Sequence, residues 1–193
     1  MKKLLFVNAC IREGSRTENL ARRYLGKAAD GYQVEEVRVP ELDISPFDAA
    51  ALSRRDADTA QGRLGKDTYR LAQQFAGADR IVIAAPYWDC LFPAVLKVYF
   101  EHICVAGITF AYGEGGSLVK TCRADRMIYI TTCGGFLPEH SAAEALIREL
   151  GNLFSLGDVR FYAAEGLDVY PDKVEEKLAA ALEAALCDTA RGE

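Results

Sequence analysis

The chain has 193 residues, of which 50% are hydrophobic and 26% are charged, and its formal net charge is −5. This size and composition predict one globular domain over residues 1–193, and the acidic balance argues against a nucleic-acid partner. No stretch approaches the roughly 20 apolar residues of a membrane-spanning helix, and the apolar start at residues 1–7 is too short for a secretory signal, so we expect a cytoplasmic protein with no membrane partner.

Short apolar runs alternate with longer amphipathic segments along the chain. The predicted strands cover residues 4–9, 34–39, 80–85, 127–132 and 159–164. The predicted helices cover residues 19–29, 64–76, 94–103, 142–156 and 172–187. Most of these strands lack polar alternation, as parallel strands covered on both faces do, and only the second is polar enough for an edge. The alternation predicts an α/β fold with a doubly wound five-stranded parallel sheet, in the order 2-1-3-4-5, and helices on both faces.

Two stretches show no helical or strand periodicity. Residues 40–62 form a long polar connection that contains Pro40, Pro46 and several Asp and Arg residues. Residues 107–117 are rich in glycine, and we expect an extended segment followed by a flexible loop. Both stretches are therefore predicted to be irregular.

The loop after the first strand has the features of an anion site. In open α/β sheets, ligands bind beyond the carboxyl ends of the strands, where the strand order reverses. Gly14 permits a tight turn there, and Ser15 and Thr17 offer hydroxyl groups where the next helix begins. Arg12 and Arg16 add positive charge to the free amides and dipole of that helix, which suits a phosphate monoester. Plain helix capping explains Ser15 equally well, because a glutamate follows it by three positions.

The loop after the third strand carries two large aromatic side chains. Tyr87 and Trp88, the only tryptophan of the chain, lie between a predicted buried strand and a predicted buried helix. Aromatic side chains at this place suit stacking on a flat ring. Pro86 and Pro93 stiffen the loop. The alternative is an aromatic plug that covers the core.

The loop after the fourth strand contains paired glycines, Gly134 and Gly135, after Thr132 and Cys133. Glycines let the backbone approach a ligand closely, and their amides can donate to carbonyl or ring-nitrogen acceptors. An ordinary turn is the alternative. The three loops together, at one end of one sheet, indicate a ligand with a phosphate and a flat ring more strongly than any one of them does.

The chain has 6 cysteines and no CxxC spacing. In a reducing compartment most of them are expected to be buried thiols that pack as small hydrophobic groups. Cys10, Cys90 and Cys133 fall in the three loops, which suggests a thiol-lined pocket: a redox device, a soft-metal site or an accident of packing. The lack of CxxC motifs favours the accident, so no metal is predicted.

Several short motifs are similar to those of a known family. They occupy residues 81–86, 96–100, 106–112, 134–135 and 164–166. The chain resembles the bacterial FMN-dependent NADH:quinone oxidoreductase and azoreductase family of flavodoxin-like proteins over nearly its whole length. Residues 106–112 are the most specific part of the resemblance, because simple flavodoxins lack them.

The resemblance implies noncovalently bound FMN, a homodimer and a ping-pong reaction, in which NADH or NADPH reduces the flavin and a small-molecule acceptor (a quinone, azo dye or nitro compound) then takes the electrons. Flavin N5 carries the hydride, so no catalytic side chain is predicted. By matching position, the resemblance assigns three groups of cofactor-binding residues: Cys10, Ser15, Arg16 and Thr17 at the phosphate, Pro86, Tyr87, Trp88, Asp89 and Cys90 along the ring, and Thr132, Cys133, Gly134 and Gly135 at its polar edge.

Three positions depart from the family pattern. Cys10 stands where a serine is common, Asp89 where an asparagine is common, and Cys133 where a short polar or basic residue is common. An ionised Asp89 beside the ring would disfavour the anionic hydroquinone and lower the flavin potential, whereas a protonated one could donate a hydrogen bond. We therefore expect Asp89 to tune the flavin.

Two other functions stay open at this point. A flavodoxin-type electron carrier would bind FMN without oxidising NAD(P)H, and a thiol-based redox module would retain no FMN. The segment 104–122, which is extra to the simple fold, favours the enzyme. The apolar residues Val95, Tyr99 and Phe100 fit either a dimer contact or the core, and His102 is expected to be a structural or interface residue.

Overall fold

The computed structural model describes residues 1–190. The strands in this range are β1 (Lys2–Asn8), β2 (Tyr32–Arg38), β3 (Arg80–Ala84), β4 (Ala111–Tyr112), β5 (Leu118–Val119), β6 (Arg126–Thr132) and β7 (Asp158–Ala164). The helices are α1 (Arg16–Ala28), α2 (Ala49–Ala60), α3 (Arg70–Ala76), α4 (Ala94–Ile103), α5 (Ala142–Leu153) and α6 (Val174–Ala190). None of these helices is both long enough and apolar enough to cross a membrane.

The main sheet has the order β2-β1-β3-β6-β7, and all of its strands are parallel. This order confirms the predicted 2-1-3-4-5 arrangement, since β4 and β5 form a separate two-stranded sheet. The polar strand β2 lies at an edge, as predicted. The chain runs from β1 to its neighbour β2 at the edge of the sheet and then crosses back to β3, which lies on the other side of β1. The strand order therefore reverses between β1 and β3, and their carboxyl ends flank a crevice.

Alternate residues of each central strand point to opposite hydrophobic cores. Leu5 and Val7 of β1 belong to the core under α3, α4 and α5, whereas Leu4 and Phe6 belong to the core under α1 and α6. All four side chains are almost completely buried. Because both faces of β1 are covered, its four central residues at 4–7 are all apolar, and the helices on both faces confirm the prediction.

The apolar residues of α4 lie in the core. Tyr99 and Phe100 are buried, and Val95 is partly buried against the same cluster. Their apolar character is explained by packing, so it gives no support to a dimer contact. His102 has the expected structural place: its Nε2 lies 2.9 Å from the carbonyl oxygen of Ser45, and its ring stacks on Phe47.

The prediction that residues 40–62 are irregular is wrong, because they contain α2. Asp48 caps this helix by accepting a hydrogen bond from the amide of Ala51 at 2.7 Å. Asp58 is its one buried residue. A helix without an apolar stripe has no hydrophobic periodicity to read, which is why the pattern missed it. Helix α3 is also shorter than predicted. It begins at Arg70 and not at residue 64, because a short 3-10 turn over Asp67–Tyr69 precedes it.

The glycine-rich stretch 107–117 is more ordered than predicted. Ala111 and Tyr112 pair antiparallel with Val119 and Leu118, and a turn over residues 113–117 joins the two short strands. The turn contains Gly115 and Gly116, both with positive φ, which accounts for glycine at these two positions. The expected extended segment is one strand of a small hairpin.

Candidate functional site at the carboxyl ends of the strands

A cavity of about 490 Å³ opens beyond the carboxyl ends of the parallel strands; we call it the strand-end cleft. Its size falls in the range of small-molecule sites. The loops after β1, β3, β6 and β7 line it with Ile11, Arg12, Glu13, Gly14, Ser15, Arg16, Thr17, Pro86, Tyr87, Trp88, Thr132, Gly134 and Asp168. All three loops that the sequence singled out therefore meet at one cleft.

Helix α1 begins at Arg16, three residues earlier than predicted, because Ser15 caps it. The Ser15 hydroxyl accepts a hydrogen bond from the amide of Glu18 at 3.3 Å. Gly14 has a φ of +69°, the left-handed conformation that lets the chain turn from β1 into the helix. The first amides of a helix have no carbonyl partner one turn earlier, and the helix dipole is positive there. Ser15 can therefore cap helix α1 while the other free amides at the same helix start bind an anion, so the two interpretations of this loop are compatible.

A buried hydrogen bond joins this helix to the sheet. The hydroxyl oxygens of Thr17 and Thr132 lie 2.6 Å apart, and both residues are buried. Thr132 ends β6, so the contact fixes the start of α1 relative to the carboxyl end of the neighbouring strand. The position of the loop after β1 therefore depends on a polar pair that the apolar pattern of the sequence could not reveal.

Asp168 is a cleft residue that the sequence reasoning missed. Its Oδ1 lies 2.7 Å from Nη1 of Arg16, and its amide donates to the carbonyl oxygen of Gly134 at 2.9 Å. A Cβ atom at position 134 would collide with the Asp168 carboxylate as it is placed here, so any side chain at this position would displace Asp168. Asp168 follows closely on residues 164–166, one of the motifs similar to the known family, and that position could have drawn attention to it. Nothing in the sequence paired it with Arg16.

The aromatic loop forms one wall of the strand-end cleft. The amide of Tyr87 donates to the carbonyl oxygen of Thr132 at 3.0 Å, which ties this loop to β6. The Arg12 guanidinium carbon lies 5.1 Å from the centroid of the Trp88 ring. Arg12 thus reaches from the loop after β1 to the aromatic wall, and it lines the same cleft as Ser15 and Arg16.

Asp89 and Cys90 form a tight turn at the tip of the aromatic loop. Trp88 and Leu91 exchange two backbone hydrogen bonds, of 2.9 and 2.8 Å. Asp89 has a φ of +50° and Cys90 a φ of +65°. Two successive left-handed residues define the hairpin turn that usually carries Asn-Gly or Asp-Gly. Both side chains are exposed and neither lines the cleft, in contrast to Tyr87 and Trp88.

The glycine loop contributes Thr132 and Gly134 to the lining, whereas Cys133 is buried behind it and Gly135 is exposed outside it. Cys133 is held by backbone pairing with β7 and the segment after it: its amide donates to Ala164, and its carbonyl accepts from Leu167.

The three thiols do not form a pocket. Cys10 is buried, its Sγ lies 3.8 Å from the carbonyl oxygen of Ala84, and burial raises its thiol pKa to about 11. Burial also raises the pKa of Cys133. Cys90 is exposed in the turn. Within residues 1–190, no group of three or more His, Cys, Asp and Glu side chains is arranged to hold a metal ion.

The residues that line the cleft fit the two parts of FMN, its phosphate and its flat ring. The cleft lining includes the start of α1 with the Ser15 hydroxyl and the Arg16 guanidinium, and it also includes the rings of Tyr87 and Trp88. A phosphate fits the first set and a flat ring fits the second. Gly134 adds a stretch of backbone without a side chain between them.

Comparison with known proteins agrees with this geometry. The model of a family described as having the flavodoxin-like fold matches residues 2–187. FMN-dependent NADH:quinone oxidoreductases from Coprothermobacter proteolyticus and Clostridium beijerinckii are 30% and 31% identical to the chain, and each alignment covers 96% of both sequences. The crystal structure of an azoreductase from Bacillus anthracis superimposes with a TM-score of 0.83 at 23% identity, covering 99% of this chain and 100% of that one.

Proposed function

Because the chain belongs to the family with the flavodoxin-like fold, we propose that it is an FMN-dependent oxidoreductase that transfers electrons from NAD(P)H to quinones, azo compounds or related small acceptors. The full-length relatives named FMN-dependent NADH:quinone oxidoreductase support this function. The structural observation that carries it is the strand-end cleft, in which a capped helix start with Arg16 faces the aromatic wall at Trp88.

The loop after β1 binds the FMN phosphate. The Ser15 hydroxyl and the first amides of α1 donate hydrogen bonds to its oxygens, and Arg16 supplies positive charge. Thr17 holds the helix start against Thr132. Cys10 is buried beneath the loop, so it supports the backbone without offering its side chain to the cleft.

The loops after β3 and β6 bind the flat ring. Pro86, Tyr87 and Trp88 give an apolar wall, and Gly134 presents backbone at the polar edge. When bound, FMN supplies the two-electron chemistry that links NAD(P)H to the acceptor. The chain's own residues orient it and exclude water from its apolar wall, so no side chain is required as an acid or base.

Asp89, Cys90, Cys133 and Gly135 remain in the proposed cofactor-binding set although they do not line the cleft. Asp89 and Cys90 are exposed in the turn next to the aromatic wall, Cys133 lies behind the glycine loop, and Gly135 is exposed. These four positions contribute through the backbone they shape and, for Asp89, through charge. The proposed homodimer follows from the family resemblance, and the proposed cytoplasmic location follows from the composition of the chain. Light scattering of the purified protein gives the oligomeric state.

The purified protein tests the function directly. We expect a yellow protein that retains FMN and, with FMN bound, oxidises NADH in the presence of menadione faster than free FMN does. Bound FMN without turnover would identify an electron carrier, and a colourless protein that does not bind added FMN would identify a thiol module. Trp88 is the only tryptophan, so quenching of its fluorescence on FMN addition reports occupancy of the strand-end cleft.

Two variants sharpen this test. Trp88→Leu removes the aromatic wall, and Arg16→Gln removes the charge at the helix start. Each should weaken FMN binding, which equilibrium dialysis measures without relying on tryptophan. Arg54→Gln is the matched control for charge, because Arg54 is exposed on α2 and does not line the cleft.

A further inference from the structure

One cation in the strand-end cleft is held on an aromatic ring and is left without a carboxylate partner. Arg12 lies over the Trp88 ring, and both residues line the cleft. In the part of the chain that the structure describes, Arg16 is paired with Asp168, whereas Arg12 forms no ion pair. Glu13 also lines the cleft, but it forms no ion pair with Arg12 within residues 1–190. The charge of Arg12 is therefore available to a ligand.

The ring that holds Arg12 is itself fixed. Two backbone hydrogen bonds between Trp88 and Leu91 close the turn, and the amide of Tyr87 is bonded to β6. A guanidinium that lies over an aromatic ring keeps N–H groups that can donate to a ligand. Arg12 thus presents hydrogen-bond donors from a place that the aromatic loop determines, and less conformational freedom is lost when a ligand binds them.

We propose that Arg12 selects electron acceptors that carry an anionic group, a sulfonate or carboxylate, on a flat aromatic ring. The inference rests on the proposed function, because it assigns a substrate class to the same cleft. Because the aromatic wall is assigned to the FMN ring, an aromatic acceptor is expected beside that wall with its anionic group toward Arg12, whose guanidinium matches the paired oxygens of a carboxylate or sulfonate. Since Asp168 is already paired with Arg16, it does not neutralise Arg12.

The phosphates of the nicotinamide donor are the other anions that could use Arg12. In a ping-pong reaction the kcat/KM values for donor and acceptor are measured independently, so the two sources are separable. A donor role lowers kcat/KM for NADH whatever the acceptor. An acceptor role lowers kcat/KM for the anionic acceptor and leaves the donor value in place.

The experiment compares two acceptors that differ in one group: anthraquinone monosulfonate and neutral hydroxymethyl-anthraquinone. Both lack the reactive ring carbons that thiols attack in simpler quinones. The FMN-loaded wild type, Arg12→Gln, Arg12→Lys and the control Arg54→Gln are assayed with NADH. We expect Arg12→Gln to lower the ratio of kcat/KM for the sulfonate over the neutral acceptor about tenfold, mainly through KM, which is the size of one charge-assisted hydrogen bond. We expect Arg12→Lys to retain part of the wild-type preference for the sulfonate over the neutral acceptor, and Arg54→Gln to retain all of it.

Calorimetry with each anthraquinone and no NADH gives the same comparison as a ratio of dissociation constants. An equal loss for both acceptors, a loss for NADH instead, or weaker FMN binding in Arg12→Gln would overturn the inference. Absence of any turnover above free FMN in the wild type would instead reject the proposed function. In that case the binding ratio from calorimetry still tests whether Arg12 selects anionic aromatic ligands.

Discussion

The Arg16 guanidinium donates to the Asp168 carboxylate across the mouth of the strand-end cleft, with 2.7 Å between Nη1 and Oδ1. The two residues are 152 positions apart in the sequence, in the loops after β1 and β7. The Asp168 carboxylate is therefore already paired with the Arg16 guanidinium, which is the group proposed to bind the FMN phosphate. A phosphate that approaches Arg16 must compete with Asp168.

We predict that Asp168→Asn tightens FMN binding. The variant frees Arg16 and removes a negative charge near a phosphate dianion, and exposed ion pairs are worth up to about 1 kcal/mol, so the dissociation constant should fall roughly two- to fivefold. Quenching of Trp88 fluorescence measures the constant. Asp172→Asn changes the same charge outside the cleft and should have little effect. Weaker binding in Asp168→Asn would mean that Asp168 orients Arg16 and does not compete for it.

The buried hydrogen bond between Thr17 and Thr132 should couple the two residues in stability. Replacing either threonine with valine leaves the other hydroxyl buried without its partner, which costs about 1–3 kcal/mol of unfolding free energy. The double variant should lose clearly less than the sum of the single variants. Urea unfolding of the FMN-free protein measures all four free energies, and additive losses would show that the 2.6 Å contact contributes little.

Cys90→Gly should stabilise the protein. The φ of Cys90 is +65°, a conformation that costs residues with a side chain about 1–2 kcal/mol, and the greater freedom of glycine in the unfolded chain returns part of that, so a net gain of about 0.5–1 kcal/mol is expected. Cys90→Ser removes the thiol but keeps the strain, and it should be close to neutral. A gain of equal size in Cys90→Ser would assign the effect to the thiol.

Asp89→Asn should raise the midpoint potential of bound FMN. Loss of an exposed carboxylate beside the aromatic wall removes at most about 1 kcal/mol of repulsion toward the reduced flavin, which is about 20 mV for two electrons. Spectroelectrochemistry across a pH series gives the potential and its slope. Asp43→Asn, on the connection after β2, is the control. An unchanged potential and slope would reject the hypothesis that Asp89 tunes the flavin.

Asp58 should make the protein sensitive to acid. The Lys66 ammonium, together with Arg63 and Tyr69, donates to its carboxylate and lowers its pKa from 3.8 to about 2. A lowered pKa in the folded state means that the ionised form stabilises the fold above about pH 4 and that this contribution is lost as the pH falls toward 2. Unfolding free energies of wild type and Asp58→Asn should therefore converge over this range. Asp67→Asn, which changes an exposed carboxylate, should keep the wild-type slope.

The sheet was predictable because its strands are buried on both faces. Strand β3 (Arg80–Ala84) is buried at every position, and after Arg80 its sequence is an uninterrupted apolar run that few surface elements would carry. The order of the strands followed from the alternation of strands and helices, since right-handed crossovers leave few topologies. Helix α2 escaped prediction for the opposite reason: its polar residues face water and Asp58 alone is buried.

The site was predictable only in part. The cleft lining includes Ser15, Trp88 and Gly134 because loops at one end of a parallel sheet must meet there. Asp89 and Cys90 lie outside the lining because the turn needs two left-handed residues and directs their side chains away from it. No local pattern signals that geometry when the turn lacks a glycine.

The sequence by itself determined the layers of the fold, the order of its strands and the three loops that carry the site, because burial on both faces and loop position are local properties of the chain. The tertiary structure alone decided the partners across the cleft. Arg16 meets Asp168, Thr17 meets Thr132 and Arg12 meets Trp88, and each pair joins loops that are distant in the chain. Charge and hydrogen-bond partners depend on distances of a few ångströms between such loops, and only the packed sheet sets those distances.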